Sequence, residues 1–180
     1  MIPNNNQVKA LWDKYELPEK KRVHCVLVAR VAKFLCDKLK TQNPKFKIDE
    51  HLLFVSALLH DIDKNIPKLP GEQHPDAAVR VLREEGMEEV AALVNTHPLH
   101  TILDPVLVPK TWEEKLLYLA DKMVKYEIIT VDKRFALWRA EPLSASVRAI
   151  LDATYPKVKE LEKEVFGIIG VAPEEVARLI

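Results

Sequence analysis

The segment FVSALLHDIDK, residues Phe54–Lys64, joins an apolar run to a cluster of polar groups. The run is broken only by Ser56 and is typical of a buried helix. Four polar residues follow it almost without interruption: His60, Asp61, Asp63 and Lys64. Such groups are costly to bury singly, so we expect other parts of the chain to compensate them.

The composition is that of a globular protein with a substantial core. The chain has 180 residues, of which 48% are hydrophobic and 30% are charged. Basic and acidic residues are equal at 27 each, so the net charge indicates neither a nucleic-acid partner nor an acidic membrane. The N-terminus has no apolar signal core and no run reaches transmembrane length, which predicts a cytoplasmic protein.

The pattern along the chain is helical nearly throughout. Only four glycines are present, and no Asn-Gly or Asp-Gly turn joins two alternating runs. We predict an all-α protein in which residues 1–180 form a single compact domain of about seven or eight helices. One predicted helix runs from about residue 111 to 130 and a long one from about residue 143 to 166. The C-terminal helices, residues 140–180, either complete the core or contact a second copy in a homodimer.

The two cysteines are predicted to be free. Cys25 and Cys36 lie on one predicted helix, about 16 Å apart by the helical rise. This separation is too large for a disulfide. Both are interpreted as buried core thiols.

Polar residues recur on the inward faces of three predicted helices. His24 shares a face with Val28 and other apolar residues at helical spacing, and His60 lies on an inward face among small residues. Asp121 interrupts an apolar stripe that would continue through Ile128. A single inward histidine is usually a hydrogen-bonded core residue.

Taken together, these groups predict a metal site. A buried aspartate needs a cation or several hydrogen-bond donors, and Asp61 adds a second carboxylate beside His60. Imidazoles and carboxylates from three helices would compensate one another around a divalent ion. Mixed ligands of this kind suit Fe, Mn, Co, Ni or Zn, with one or two ions bound.

The order His24, His60-Asp61, Asp121 resembles that of the HD-domain superfamily of metal-dependent phosphohydrolases, which is an all-helical fold. "LLHDIDK" is similar to the family form "LLHDIGK", and "LYLADK" is similar to its helix with the last aspartate. The resemblance covers about residues 20–135. It implies that His24, His60, Asp61 and Asp121 are the primary metal ligands.

Two further histidines fall where one subset of this family, which binds two metals, places additional ligands. They are His74 and His97. From the residues alone, His74 could instead be a surface residue beside a helix start, and His97 an exposed loop residue. Within that subset the layout is most similar to bacterial HD-domain hydrolases of symmetrical dinucleoside tetraphosphates. The chain departs from them at His74-Pro75, at His97-Pro98, after Asp121 and in the longer separation of His24 and His60, which leaves the substrate open.

The resemblance implies hydrolysis of a phosphoester or phosphoanhydride in a nucleotide or similar small molecule by a metal-activated water. Asp61 would serve both as ligand and in catalysis. Lys64 lies three residues further and is predicted to contact a phosphate or the leaving group, unless it is a solvated residue at the helix end. Arg134 is predicted to contact phosphate, because guanidinium groups match phosphate oxygens.

Several neighbouring residues are not predicted to be metal ligands. Lys122 is predicted to lie on a solvated helix face, Asp63 at the surface or in support of the site, and His51 at the surface. His100 is interpreted as a loop residue or an outer substrate contact. The three tryptophans either pack in the core or stack on a base.

Two alternative functions remain open at this point. A di-iron oxygenase of the same superfamily uses the same ligand set, and a metal-stabilised nucleotide-binding module would lack catalysis. The presence of every expected ligand argues against the second alternative.

Overall fold

A computed structural model describes residues 1–180 and contains nine α-helices. They are α1 (Asn5–Lys14), α2 (Glu19–Gln42), α3 (Glu50–Leu59), α4 (Asp76–Glu84), α5 (Glu88–Asn95), α6 (Trp112–Lys122), α7 (Val131–Arg139), α8 (Ala145–Ile169) and α9 (Val176–Leu179). Short 3-10 turns span Ile62–Asn65, Leu99–Leu103 and Pro173–Glu175. The only β feature is one isolated bridge between Val124 and Ile128. The all-α prediction is confirmed, with one helix more than the upper number expected.

The helix predicted over residues 111–130 ends early. Helix α6 stops at Lys122, and the backbone N–H of Ile129 donates to the carbonyl of Met123 across a tight loop. Thr130 then caps α7 by accepting a hydrogen bond from the N–H of Lys133. Ile128 is therefore not on the helix that carries Asp121, and the predicted continuation of that stripe is wrong.

Helix α2 lies at the centre of the core and packs against α3, α6 and α8. Its inward face includes Val28, Val31 and Leu35, all fully buried. Cys25 and Cys36 are buried in the same helix and are free, as the sequence predicts.

Helix α8 closes one side of this core. Its stripe of Val158, Leu161 and Val165 is buried in the same hydrophobic cluster as α2. The C-terminal helices are predicted either to complete the core or to contact a second copy. These three side chains of α8 complete the core. No helix combines the length and the apolar character that a membrane crossing requires.

Candidate metal centre

The ends of three helices bring polar side chains to one place. His60 is the C-terminal cap of α3, His97 lies just beyond the end of α5, and Asp121 lies in the last turn of α6. His24 faces them from the second turn of α2. Because the carboxyl end of a helix carries partial negative charge, this convergence favours a cation.

Backbone carbonyls fix the orientation of two of the imidazoles. The Nδ1–H of His60 donates to the carbonyl of Ala57 at 2.8 Å, and that of His97 donates to the carbonyl of Val94 at 2.6 Å. Carbonyls at helix ends lack partners within the helix, and a carbonyl can only accept a hydrogen bond. The proton therefore lies on Nδ1, and each Nε2 presents a lone pair, as in histidines that bind metals.

The first cluster consists of His24, His60 and Asp121. The Nε2 of His24 lies 3.1 Å from Asp121 Oδ1, and the Nε2 of His60 lies 3.5 Å from the same oxygen. His60 Nε2 is buried and has no hydrogen bond of acceptable geometry. A buried lone pair without a donor is unfavourable, whereas a cation among these three groups would compensate it. Their ligand atoms all lie within 4.8 Å of one another.

His74 and His97 form a second cluster. Their Nε2 atoms are 2.9 Å apart, and the Nδ1 of His74 lies 2.9 Å from Asp63 Oδ2. With both protons on Nδ1, two lone pairs face each other and require a proton or a cation between them. Two nitrogens bound side by side to one ion, at bond lengths of about 2.0–2.1 Å, lie about 3 Å apart. The observed separation fits such an ion.

Asp63 supports this cluster from a buried position. Its side chain is 1% exposed, and its carboxylate accepts the Nδ1–H of His74. Of the two interpretations of Asp63, the structure thus excludes the surface position. Carboxylates that hold a histidine in this way orient the ring and raise its basicity as a ligand.

Asp61 lies between the two clusters. Its Oδ1 is 3.6 Å from His74 Nε2 and 4.0 Å from His60 Nε2, while its Oδ2 is 4.0 Å from His24 Nε2. A carboxylate in this position could be shared by two ions. The structure therefore brings together all six residues predicted to be ligands: His24, His60, Asp61, His74, His97 and Asp121.

Two lysines contact the carboxylate of Asp61. Lys64 Nζ lies 3.1 Å from Oδ1, in reach of the pocket as predicted, and Lys21 Nζ lies 3.0 Å from Oδ2. Burial alone would raise the pKa of Asp61, but nearby cationic groups, among them Lys64 and Lys21, hold the pKa well below its usual range. The sequence reasoning missed Lys21, although its position three residues before His24 on α2 places it on the same face.

Lys122 is buried, so its interpretation as a solvated residue is wrong. It is 1% exposed, and its Nζ donates to Asp121 Oδ2 at 2.8 Å and to the carbonyl of His97 at 2.5 Å. Burial lowers the pKa of Lys122. The ammonium of Lys122 also lies 4.2 Å from the ring centroid of Tyr118, which is one turn earlier on α6. An aromatic residue at this spacing was the available signal for an inward lysine.

A cavity of about 280 Å³ opens over the centre and is lined mainly by charged and polar residues. Arg134 and Trp138 of α7 form part of its wall, with the guanidinium carbon 4.4 Å from the ring centroid. Trp12, by contrast, is a core residue that donates to the carbonyl of Leu58. His100 lines the cavity from an exposed position, and His51 is exposed on α3.

An all-α fold in which separate helices direct imidazoles and carboxylates into one polar cavity defines a helical domain with a candidate divalent-metal centre. A family model described as HD domain matches residues 22–125, which is more than half of the chain. The protein belongs to the HD domain family, whose members are mostly metal-dependent hydrolases that bind divalent metals. Comparison with curated proteins and with solved structures found no match.

Proposed function

We propose that this protein is a phosphohydrolase that uses one or two divalent ions to cleave a phosphoester or phosphoanhydride of a nucleotide or similar small molecule. The observation that carries the proposal is the position of the cavity. It lies directly over the histidine and aspartate clusters, and basic side chains surround it. Donors for a cation and contacts for an anion thus occur in the same small space.

The chain's own donors fit Fe, Mn, Co, Ni or Zn, since they are imidazoles and carboxylates. The buried Nε2 of His60 and the facing Nε2 atoms of His74 and His97 are groups that such an ion would satisfy. When bound, a divalent ion of this kind lowers the pKa of water to about 7 in favourable cases and polarises a phosphoryl oxygen.

Asp61 is the proposed central group, because its two oxygens face both histidine clusters. Lys21 and Lys64 fix these oxygens by contacts of 3.0 and 3.1 Å, which limits rotation of the carboxylate. The side chain of Lys64 remains 27% exposed, so its ammonium can also donate to a phosphoryl oxygen or stabilise the leaving group. Arg134 supplies a second proposed phosphate contact from the opposite element, α7.

The finer proposal is a substrate among nucleotides and symmetrical dinucleoside polyphosphates. It rests on the similarity in ligand order to hydrolases of dinucleoside tetraphosphates. The basic wall of the cavity favours a phosphate substrate over the substrates of a di-iron oxygenase, because Lys21, Lys64 and Arg134 all match anionic oxygens.

The test joins metal analysis of the purified protein to a screen of nucleotides and dinucleoside polyphosphates with each divalent ion, run both in air and under anaerobic conditions. Asp121→Ala removes a proposed ligand, and Asp37→Ala removes a carboxylate exposed on α2 as the matched control. We expect phosphate or nucleotide release by the wild type and by Asp37→Ala, and a loss of at least about 100-fold in Asp121→Ala.

Three outcomes of this screen would contradict the proposal. One is a metal-loaded protein that releases neither phosphate nor nucleotide from any substrate. Another is turnover that requires dioxygen, which would indicate the oxygenase. The third is equal activity of Asp121→Ala and Asp37→Ala, which would show that the reaction occurs elsewhere.

A further inference from the structure

The basic residues of the cavity differ in whether a carboxylate already compensates them. Lys21 and Lys64 form ion pairs with Asp61, and Lys122 forms one with Asp121. The guanidinium of Arg134 forms no salt bridge and no hydrogen bond to any residue of the chain. It is thus the one cation of the cavity wall that has no carboxylate within ion-pair distance.

The guanidinium of Arg134 is also partly removed from water. Its Nε and Nη1 are buried without a hydrogen-bond partner. Buried donors without acceptors are unfavourable, and most such groups in folded proteins have a partner or belong to a functional site. An anion in the cavity would neutralise this charge.

Local sequence holds Arg134 in place. Trp138 lies one turn further along α7, and the guanidinium covers its ring face at 4.4 Å. The rings of Trp138 and Phe135 in turn pack at nearly a right angle, with ring centroids 5.1 Å apart. Because the guanidinium covers one face of Trp138, that face supports Arg134 and is not an open platform for a base.

The size of the cavity limits what it can enclose. Its volume of about 280 Å³ lies just below the range of about 300–1,000 Å³ that is typical of pockets enclosing a drug-sized ligand. It can accommodate phosphoryl groups near the metal centre while a nucleoside remains outside. Recognition by this cavity is therefore directed at the phosphate chain.

We propose that Arg134, supported by Trp138, binds a second phosphoryl group adjoining the one at the metal centre. The substrate class is then a diphosphate or longer polyphosphate, selected with little regard to the base, and not a monoester of a single phosphate. This inference rests on the proposed function for its catalytic meaning, but the binding subsite can be tested without turnover.

The test is isothermal titration calorimetry of the Mn²⁺-loaded protein with inorganic phosphate and with methylenediphosphonate, which resists hydrolysis. Mn²⁺ is kept in excess over either ligand, so that chelation by the ligand does not remove Mn²⁺ from the protein. Arg134→Met removes the charge, and Lys133→Met removes an adjacent exposed charge as the control. We expect wild-type protein to bind the diphosphonate at least about tenfold more tightly than phosphate.

Arg134→Met should lose about tenfold or more in diphosphonate affinity while phosphate affinity stays within about twofold. Lys133→Met should change neither. Arg134→Lys retains the charge but lacks the planar guanidinium, so it should show a smaller loss of diphosphonate affinity. This variant serves as the test if Arg134→Met does not fold. If Arg134→Met lowers the affinity for both ligands equally, or lowers neither affinity, the proposed subsite is contradicted.

Kinetics separate this inference from the proposed function. Diphosphonate selectivity that depends on Arg134 in a protein without any phosphohydrolase activity would support the subsite and contradict the function. Hydrolysis of monophosphates and diphosphates at rates that Arg134→Met leaves unchanged would support the function and overturn the subsite.

Discussion

His74 and His97 face each other through their Nε2 atoms at 2.9 Å, although 23 positions and the helices α4 and α5 separate them. Each ring is fixed on its far side, His74 by Asp63 and His97 by the carbonyl of Val94. Neither contact leaves a proton on Nε2. The pair is therefore arranged as two neighbouring donors for one cation.

The first prediction concerns the number of ions. We expect His97→Ala to bind one equivalent of Mn²⁺ fewer than the wild type, because it removes a donor that the proposed second ion requires. His51→Ala removes an exposed histidine from α3 and should leave the stoichiometry unchanged. Calorimetric titration and elemental analysis measure both values. An unaltered stoichiometry in His97→Ala would show that this pair binds no ion.

The second prediction concerns Asp63. Asp63→Asn preserves the shape of the side chain but removes the charge that orients His74. We expect metal affinity to fall by about 10–100-fold, with little change in melting temperature. Asp37→Asn, at an exposed site on α2, is the matched control. If the two variants bind metal equally well, the contact between Asp63 and His74 has no effect on the centre.

The third prediction concerns Lys122, which donates to Asp121 and to the carbonyl of His97. Lys122→Met leaves a carboxylate and a carbonyl without their donor, so we expect the free energy of unfolding to fall by about 3 kcal/mol. Divalent ions should restore part of this loss, because binding to the folded state compensates Asp121.

Urea unfolding with and without Mn²⁺ measures both effects of Lys122→Met. Lys133→Met, at an exposed position of α7, should have almost no effect in either condition. Equal stability of the two variants would contradict the role assigned to Lys122. If Mn²⁺ does not reduce the loss of stability in Lys122→Met, Lys122 contributes to packing alone and does not compensate Asp121.

The fourth prediction concerns pH and a residue outside the metal centre. Glu162 of α8 is 4% exposed and contacts Lys159, but its Oε1 has no hydrogen-bond partner. Burial raises the pKa of Glu162 above its ordinary value. The folded state thus favours the protonated form, and this contribution to stability is lost as pH rises through the raised pKa.

Glu162→Gln should therefore gain stability relative to the wild type as pH increases above about 4.3, the ordinary pKa of glutamate. The difference in unfolding free energy should be smallest at low pH, where the wild-type side chain is also neutral. Glu164→Gln, at a more exposed position of the same helix, provides the control. A difference that shrinks with increasing pH would contradict this assignment.

The fifth prediction concerns the thiols. Cys25 and Cys36 are 0% and 1% exposed, and burial raises the pKa of Cys36 to about 11. Only the thiolate reacts readily, so Ellman's reagent at pH 8 should modify neither residue in the folded protein. Two equivalents should react after unfolding. Rapid modification under native conditions would show that this part of α2 opens.

Much of the fold and the centre of the site follow from local sequence. Helical spacing placed His24 among inward residues of α2, and the apolar run before His60 placed that residue at the end of a buried helix. The same periodicity identified Cys25 and Cys36 as core residues. These predictions succeed because the face that a residue occupies depends only on its position within one helix.

The remaining features depend on contacts between elements. Helix α6 ends at Lys122, where the loop up to Thr130 forms its own hydrogen bonds, and the ammonium of Lys122 donates to the carbonyl of His97. Lys21 and Asp63 acquired their partners in the same way, from other parts of the chain. A sequence determines which faces of its helices are apolar, but tertiary packing decides which polar groups meet. Long charged side chains can reach several neighbours, and only the assembled core fixes which of them lie within hydrogen-bonding distance.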